Sequence, residues 1–133
     1  MHAERGFPDD EFQRRTERAQ AAMADLGVDA IIVCTEPEVR YFTGFHTPFW
    51  QSPTRPWFTV VPASGKPVAV IPGIGAPSMR ETWIDDVRTW SSPQPDDDGI
   101  TLLAETVVEL VGAGARVGVP MGQSSTHLSD PWA

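Results

Sequence analysis

Cysteine occurs once in this chain, as Cys34, and tyrosine once, as Tyr41. A single thiol excludes an internal disulfide and fits a reducing compartment. Cys34 ends an apolar run with no basic neighbour in sequence to favour its thiolate, so it reads as a buried, inert thiol. Basic residues are short too: 10 Lys and Arg stand against 18 Asp and Glu, a net charge of −8. That balance argues against nucleic acid or an anionic membrane as partner. No apolar stretch approaches the length of a bilayer span, and Met1–Asp10 lacks the apolar core of a signal peptide. Histidine is limited to His2, His46 and His127, far apart and without the spacing of a ligand set. No Ser–His–Asp order or nucleophile elbow is present either. No residue is therefore assigned a catalytic or metal-binding role, and the chain reads as soluble and cytoplasmic.

What is there suffices for one domain. At 133 residues a chain buries roughly two-thirds of its unfolded surface without needing staples. Phe12, Thr16, Ala19, Met23 and Leu26 recur at spacings of four and three, predicting a helix over Pro8–Leu26 with one inward stripe. Acidic residues follow Pro8 at its start and Gly27 stops it. Asp29–Thr35 reads as a strand covered on both faces. A helical turn is expected around Val39–Thr43. Trp57–Val61 and Val68–Ile71 read as an antiparallel hairpin around a Pro-Ala-Ser-Gly-Lys-Pro turn. A short helix over Ala76–Trp83, a strand over Val87–Trp90, a helix over Gly99–Val111 and a strand over Arg116–Val119 complete the order. Within the later helix, Ile100, Leu103, Val107, Leu110 and Val111 share a side. The expected fold is α/β, a small mixed sheet with flanking helices.

Three clusters imitate sites. Gly73-Ile-Gly75 with Ser78 follows a strand and precedes a helix. Ser78 replaces the third glycine of a dinucleotide turn and Pro77 removes an amide, so a loop and helix start explains it. Asp96-Asp97-Asp98 reads as a solvated connection in which Asp98 caps the next helix. The stretch Pro37–Pro62 is different. It concentrates Tyr41, Phe42, Phe45, Phe49, Trp50, Trp57 and Phe58, yet Pro48, Pro53 and Pro56 interrupt it. Aromatics on such a loop suit either a surface that touches a ligand or a lid over the chain's own core.

The run Gly27-Val28-Asp29-Ala30, then Val39-Arg40-Tyr41-Phe42-Thr43-Gly44-Phe45, then a hairpin led by Arg55, resembles the N-terminal domain of the creatinase/prolidase/aminopeptidase P family. Arg116-Val117-Gly118-Val119 resembles the end of that domain. The likeness runs from about Phe12 to Val119 and implies a ribonuclease-H-like mixed sheet. Glu38 departs from it, standing where members usually carry asparagine. Residues 1–120 are thus expected to form the N-terminal domain and residues 121–133 to begin a linker to a missing C-terminal catalytic domain. In the peptidases of the family that domain holds two divalent metal ions, manganese or cobalt, while creatinase works without metal; no cofactor is expected in this chain.

The resemblance further implies dimerisation, with the loop shaping substrate choice at the partner subunit's active site. Arg55 falls at the family's substrate-contacting arginine, with Phe49 or Trp50 as the accompanying aromatic and His46 close by. A guanidinium can pair a substrate carboxylate bidentately, and an indole face can hold an apolar ring or a cation. The expected function is a non-catalytic gating and dimerisation domain of an Xaa-Pro peptidase-like or creatinase-like hydrolase. Its partners would be its own catalytic domain, a second subunit and a small-molecule or peptide substrate. The alternative is a free-standing α/β module that binds a ligand or protein through the same loop.

Overall fold

The computed structural model describes residues 8–45, 57–91, 97 and 99–119. Helix α1 (Asp9–Leu26) opens the domain, followed by β1 (Ala30–Val33) and α2 (Glu36–Thr43). Strands β2 (Phe58–Pro62) and β3 (Val68–Pro72) form the hairpin. A 3-10 turn (Gly73–Gly75), α3 (Ala76–Met79), β4 (Asp86–Trp90), α4 (Ile100–Val111) and β5 (Val117–Gly118) complete the order. The strands make one 5-stranded sheet in the order β4-β3-β2-β1-β5. β2 runs antiparallel to both β1 and β3, while β4 is parallel to β3 and β5 to β1. The sheet is therefore mixed, as the element order predicts.

Alternation along the strands sorts side chains to two cores. Ile31, Val33, Val61, Ala69 and Ile71 meet Phe12, Ala19 and Met23 of α1, Val39 and Phe42 of α2, and Met79 beyond the sheet. Ala30, Val60 and Val70 face the other way, toward Trp90 and Leu103 of α4. Helices thus cover both faces, which is why β1 and β3 read as unbroken apolar runs.

Helix α1 ends as its glycine requires. Gly27 adopts φ 70°, and Val28 N–H donates to Met23 O at 2.9 Å, the bond that closes a Schellman turn. Arg15 then ties α1 to α2. Its guanidinium lies 5.1 Å from the Phe12 ring centroid and 4.7 Å from that of Tyr41, and its Nη1 donates to Tyr41 O at 3.0 Å. Helix α2 begins with Pro37 in its first turn, where a missing N–H costs nothing. At that start Thr35 Oγ1 donates to Glu38 Oε1 at 2.7 Å, so the residue that departs from the family's asparagine is engaged locally.

Five expectations need correction. Leu26 is 65% exposed rather than part of the inward stripe, because the chain turns away at Gly27. Ile100 likewise begins α4 in solvent, at 52% exposure. Helix α3 stops at Met79 instead of Trp83. There Thr82 Oγ1 donates to Met79 O and accepts from Ile84 N–H, a local side-chain bonding pattern that competes with helix. β5 is confined to Val117–Gly118. Cys34 is exposed, since it lies one residue past the last paired position of β1.

Candidate functional site

Strand directions gather one edge of the sheet. β1 ends at Val33 opposite Thr59 near the start of β2, Phe58 pairs with Val70, and Pro72 at the end of β3 pairs with Trp90 at the end of β4. Cys34, the return of the chain into β2, the Gly73–Gly75 turn and Trp90 therefore share this edge. The predicted substrate contacts, His46, Phe49, Trp50 and Arg55, belong to the segment that leaves from and returns to it; all four lie outside the described residues. What is described is the frame that holds the segment. His46 directly follows Phe45, and Arg55 precedes Trp57 by two residues.

Those two flanking aromatics are locked together. Phe45 and Trp57 are each 2% exposed, and their rings stack with centroids 5.1 Å apart and an interplanar angle of 26°. Gly44 makes the approach possible, turning the chain at φ 79° after its N–H bonds Arg40 O. Behind Phe45, Thr43 Oγ1 accepts the Phe45 N–H at 2.9 Å and donates to Val39 O at 2.7 Å. Trp83 Nε1 then donates to Phe42 O at 2.7 Å. The end of α2 is thus held by buried, paired polar groups as well as by packing. Gly75 also lies against the Trp57 indole; a Cβ there would overlap Cη2 and Cζ3 of the ring.

Of the aromatics that the sequence leaves open between a ligand-touching surface and a lid over the core, Phe42, Phe45 and Trp57 are core residues. The period Val39–Phe42–Thr43 of one helical face was the available signal for Phe42. Nothing in the sequence marks Gly75 as the seat of Trp57. The Gly73–Gly75 turn is a 3-10 start to α3, in line with its reading as a loop and helix start.

Among the described residues the remaining candidate groups do not assemble a reactive centre. At Cys34, partial burial pushes the thiol pKa up, and the charge of Glu38 adds to it, the opposite of nucleophile activation. Asp97 meets the first turn of α4: its Oδ1 accepts from Thr101 N–H and Oγ1, both at 2.9 Å; the expected cap, Asp98, lies outside the described residues. Among the described residues no group of three or more His, Cys, Asp or Glu could hold a metal ion. No described helix is long and apolar enough to cross a membrane.

The family model of the Creatinase/Prolidase N-terminal domain matches residues 15–129. The chain belongs to that family. The sequence resembles an uncharacterized hydrolase/peptidase, y4tL, of Sinorhizobium fredii, with 27% identity over 132 residues covering 93% of this chain and 33% of the relative. Among solved structures, dipeptidase PepE from Mycobacterium ulcerans superposes with a TM-score of 0.68 at 26% identity, over 94% of this chain and 32% of that one. The N-terminal domain of an Xaa-Pro dipeptidase from Lactobacillus brevis gives a TM-score of 0.69 at 18% identity, over 90% of this chain and 85% of that one. This creatinase/prolidase N-terminal domain thus spans about a third of the length of its peptidase-like relatives.

Proposed function

We propose that the chain is the non-catalytic N-terminal domain of a C–N-bond hydrolase of the Xaa-Pro peptidase or creatinase type, that it serves dimerisation, and that its loop gates substrate at the partner subunit's active site. The observation that carries this reading is the Phe45–Trp57 stack. It buries Phe45 and Trp57, the two described residues that flank the aromatic, proline-rich stretch carrying Arg55 and the Phe49–Trp50 pair. Support for the reaction class comes from relatives named as a hydrolase/peptidase and a dipeptidase, each about three times as long as the part this chain covers. The divalent ions that the family resemblance implies would be held by the catalytic part of such a protein.

In this reading the Arg55 guanidinium pairs a substrate carboxylate, and the loop aromatics hold its apolar part. Proline at positions 48, 53 and 56 lowers the entropy lost when the segment docks. The test is Arg55→Ala in the full-length protein, assayed with Xaa-Pro dipeptides and creatine. Breaking a desolvated charge-assisted pair should cost about 2–4 kcal/mol in kcat/KM, with unchanged thermal stability of the domain. A loss below about threefold in kcat/KM, or about 0.6 kcal/mol, would remove Arg55 from the substrate site.

A further inference from the structure

The two faces of the sheet are unequally covered. Helices α1, α2 and α3 all contribute to the core on the face of Ile31 and Val33. On the opposite face α4 stands alone among the described helices, and it packs chiefly over β2 and β4. The half of that face formed by β1 and β5 is correspondingly open. Val117 is the partner of Ala30 across the parallel pair, and Ala30 belongs to the α4 core, so Val117 points to the α4 side. Gly118 takes the other side, where a Cβ would lie 3.3 Å from Ile31 Cγ2. Alternation carried one residue past β5 returns Val119 to the α4 side. Val117 is 39% exposed and Val119 54%, and Ile32 of β1 is only half-buried, as are Val107, Leu110 and Val111 of α4. β5 is also the last strand of the sheet, with no described strand beyond it.

We propose that this open half-face, Ile32, Val117 and Val119, is the seat of the polypeptide that follows this domain in the full-length protein: an apolar surface of that part packs on it and completes the second core. The inference rests on the reading of the chain as the N-terminal part of a longer hydrolase. Two observations favour that occupant. The hydrolase/peptidase and dipeptidase relatives are about three times as long as the part this chain covers, and the matched domain is the N-terminal one, so the further length follows it. The last described residue, Val119, is on the patch itself, so the polypeptide beyond it is tethered beside the patch at high effective concentration. The chemistry agrees as well. Ile32, Val117 and Val119 are all aliphatic, which fits an apolar partner and not a polar one.

The test is carbene footprinting of aliphatic side chains, read by peptide mass spectrometry, on this chain and on the full-length protein. Labelling of Val117 and Val119 should fall by at least about fivefold in the full-length protein, while Ile100, 52% exposed at the far end of α4, stays within about twofold. Labelling of the two valines within about twofold in both proteins, or an equal fall at Ile100, overturns the proposal. So does protection that appears in this chain alone as its concentration rises, which would give the face to a second copy. Val119→Asp adds a second readout. It should leave the melting temperature of this chain within about 2 °C, yet in the full-length protein it should return Val117 labelling to within about twofold of its level in this chain, because docking would bury a carboxylate. Protection of Val117 that survives the substitution overturns the proposal. Hydrolysis of Xaa-Pro dipeptides by the same full-length sample separates the two readings. An active protein with an open face removes the docking and keeps the hydrolase. A protected face in a protein without that activity keeps the docking and removes the hydrolase.

Discussion

Replacing Trp83 with phenylalanine should destabilise the domain by about 2–4 kcal/mol, and the sum can be worked from its contacts. Trp83 is 2% exposed, stacks on Phe12 with centroids 6.3 Å apart, and donates from Nε1 to Phe42 O at 2.7 Å. Phenylalanine keeps the ring but removes the donor, leaving a buried carbonyl at the end of α2 without that bond, at a cost of about 1–3 kcal/mol. The lost pyrrole atoms add about 1 kcal/mol of transfer and cavity energy. For a domain of this size, the melting temperature should fall by about 4 °C for each kcal/mol. Urea titration followed by far-ultraviolet circular dichroism is the assay, with an unchanged m-value as the sign that the native and denatured states are otherwise alike. A loss below about 0.5 kcal/mol would refute the reasoning, because a buried donor–acceptor pair cannot be removed one-sidedly at so small a cost.

Other expectations are more local. Cys34 should label fully with a bulky thiol reagent in the folded state, and the native rate should approach the denatured rate as pH rises, because its pKa lies above the ordinary thiol value. The same shift has a sign for stability. The folded state favours the protonated thiol, so its contribution is present below the ordinary pKa and is lost as pH rises through the folded value; urea midpoints on either side of that window would check it. Arg88 joins β4 to α4 by bonding Asp86 at 3.0 Å and Glu109 at 2.7 Å, so Arg88→Ala should cost about 1 kcal/mol, less in high salt because Glu109 is largely solvated. A salt-independent loss would place the effect in packing instead. The purified chain should not hydrolyse Xaa-Pro dipeptides or creatine, with or without manganese or cobalt, since metal catalysis needs a clustered ligand set with an open position. Turnover by rigorously pure material would contradict that.

Local periodicity carried most of the architecture. The stripe of α1, the unbroken run of β1 and the turn between β2 and β3 each express a rule that acts within a few residues. Where the reading failed, a longer-range fact decided. Thr82 and Trp83 continue a helical pattern on paper, yet α3 stops at Met79 and Trp83, beyond its end, bonds the Phe42 carbonyl. Cys34 looks like one more apolar strand residue, but the ladder to β2 ends at Val33. The site was legible only in part. Aromatics and prolines marked the segment, while the division between core and loop did not follow from composition. Phe45 and Trp57 belong to the core because they meet each other and Gly75, and residues so far apart in sequence leave no shared local pattern.

The central claim, that the loop of one subunit serves the active site of another, is tested most directly by mixed dimers. One full-length variant carries Arg55→Ala and the other lacks its catalytic metal ligands, so each is inactive alone. If the loop acts across the dimer, random exchange at equal concentrations should restore about a quarter of the parent activity per subunit, because half the dimers are mixed and each mixed dimer regains one of two sites. Mixed dimers that form but stay inactive would contradict the account, and would return Arg55 to its own subunit.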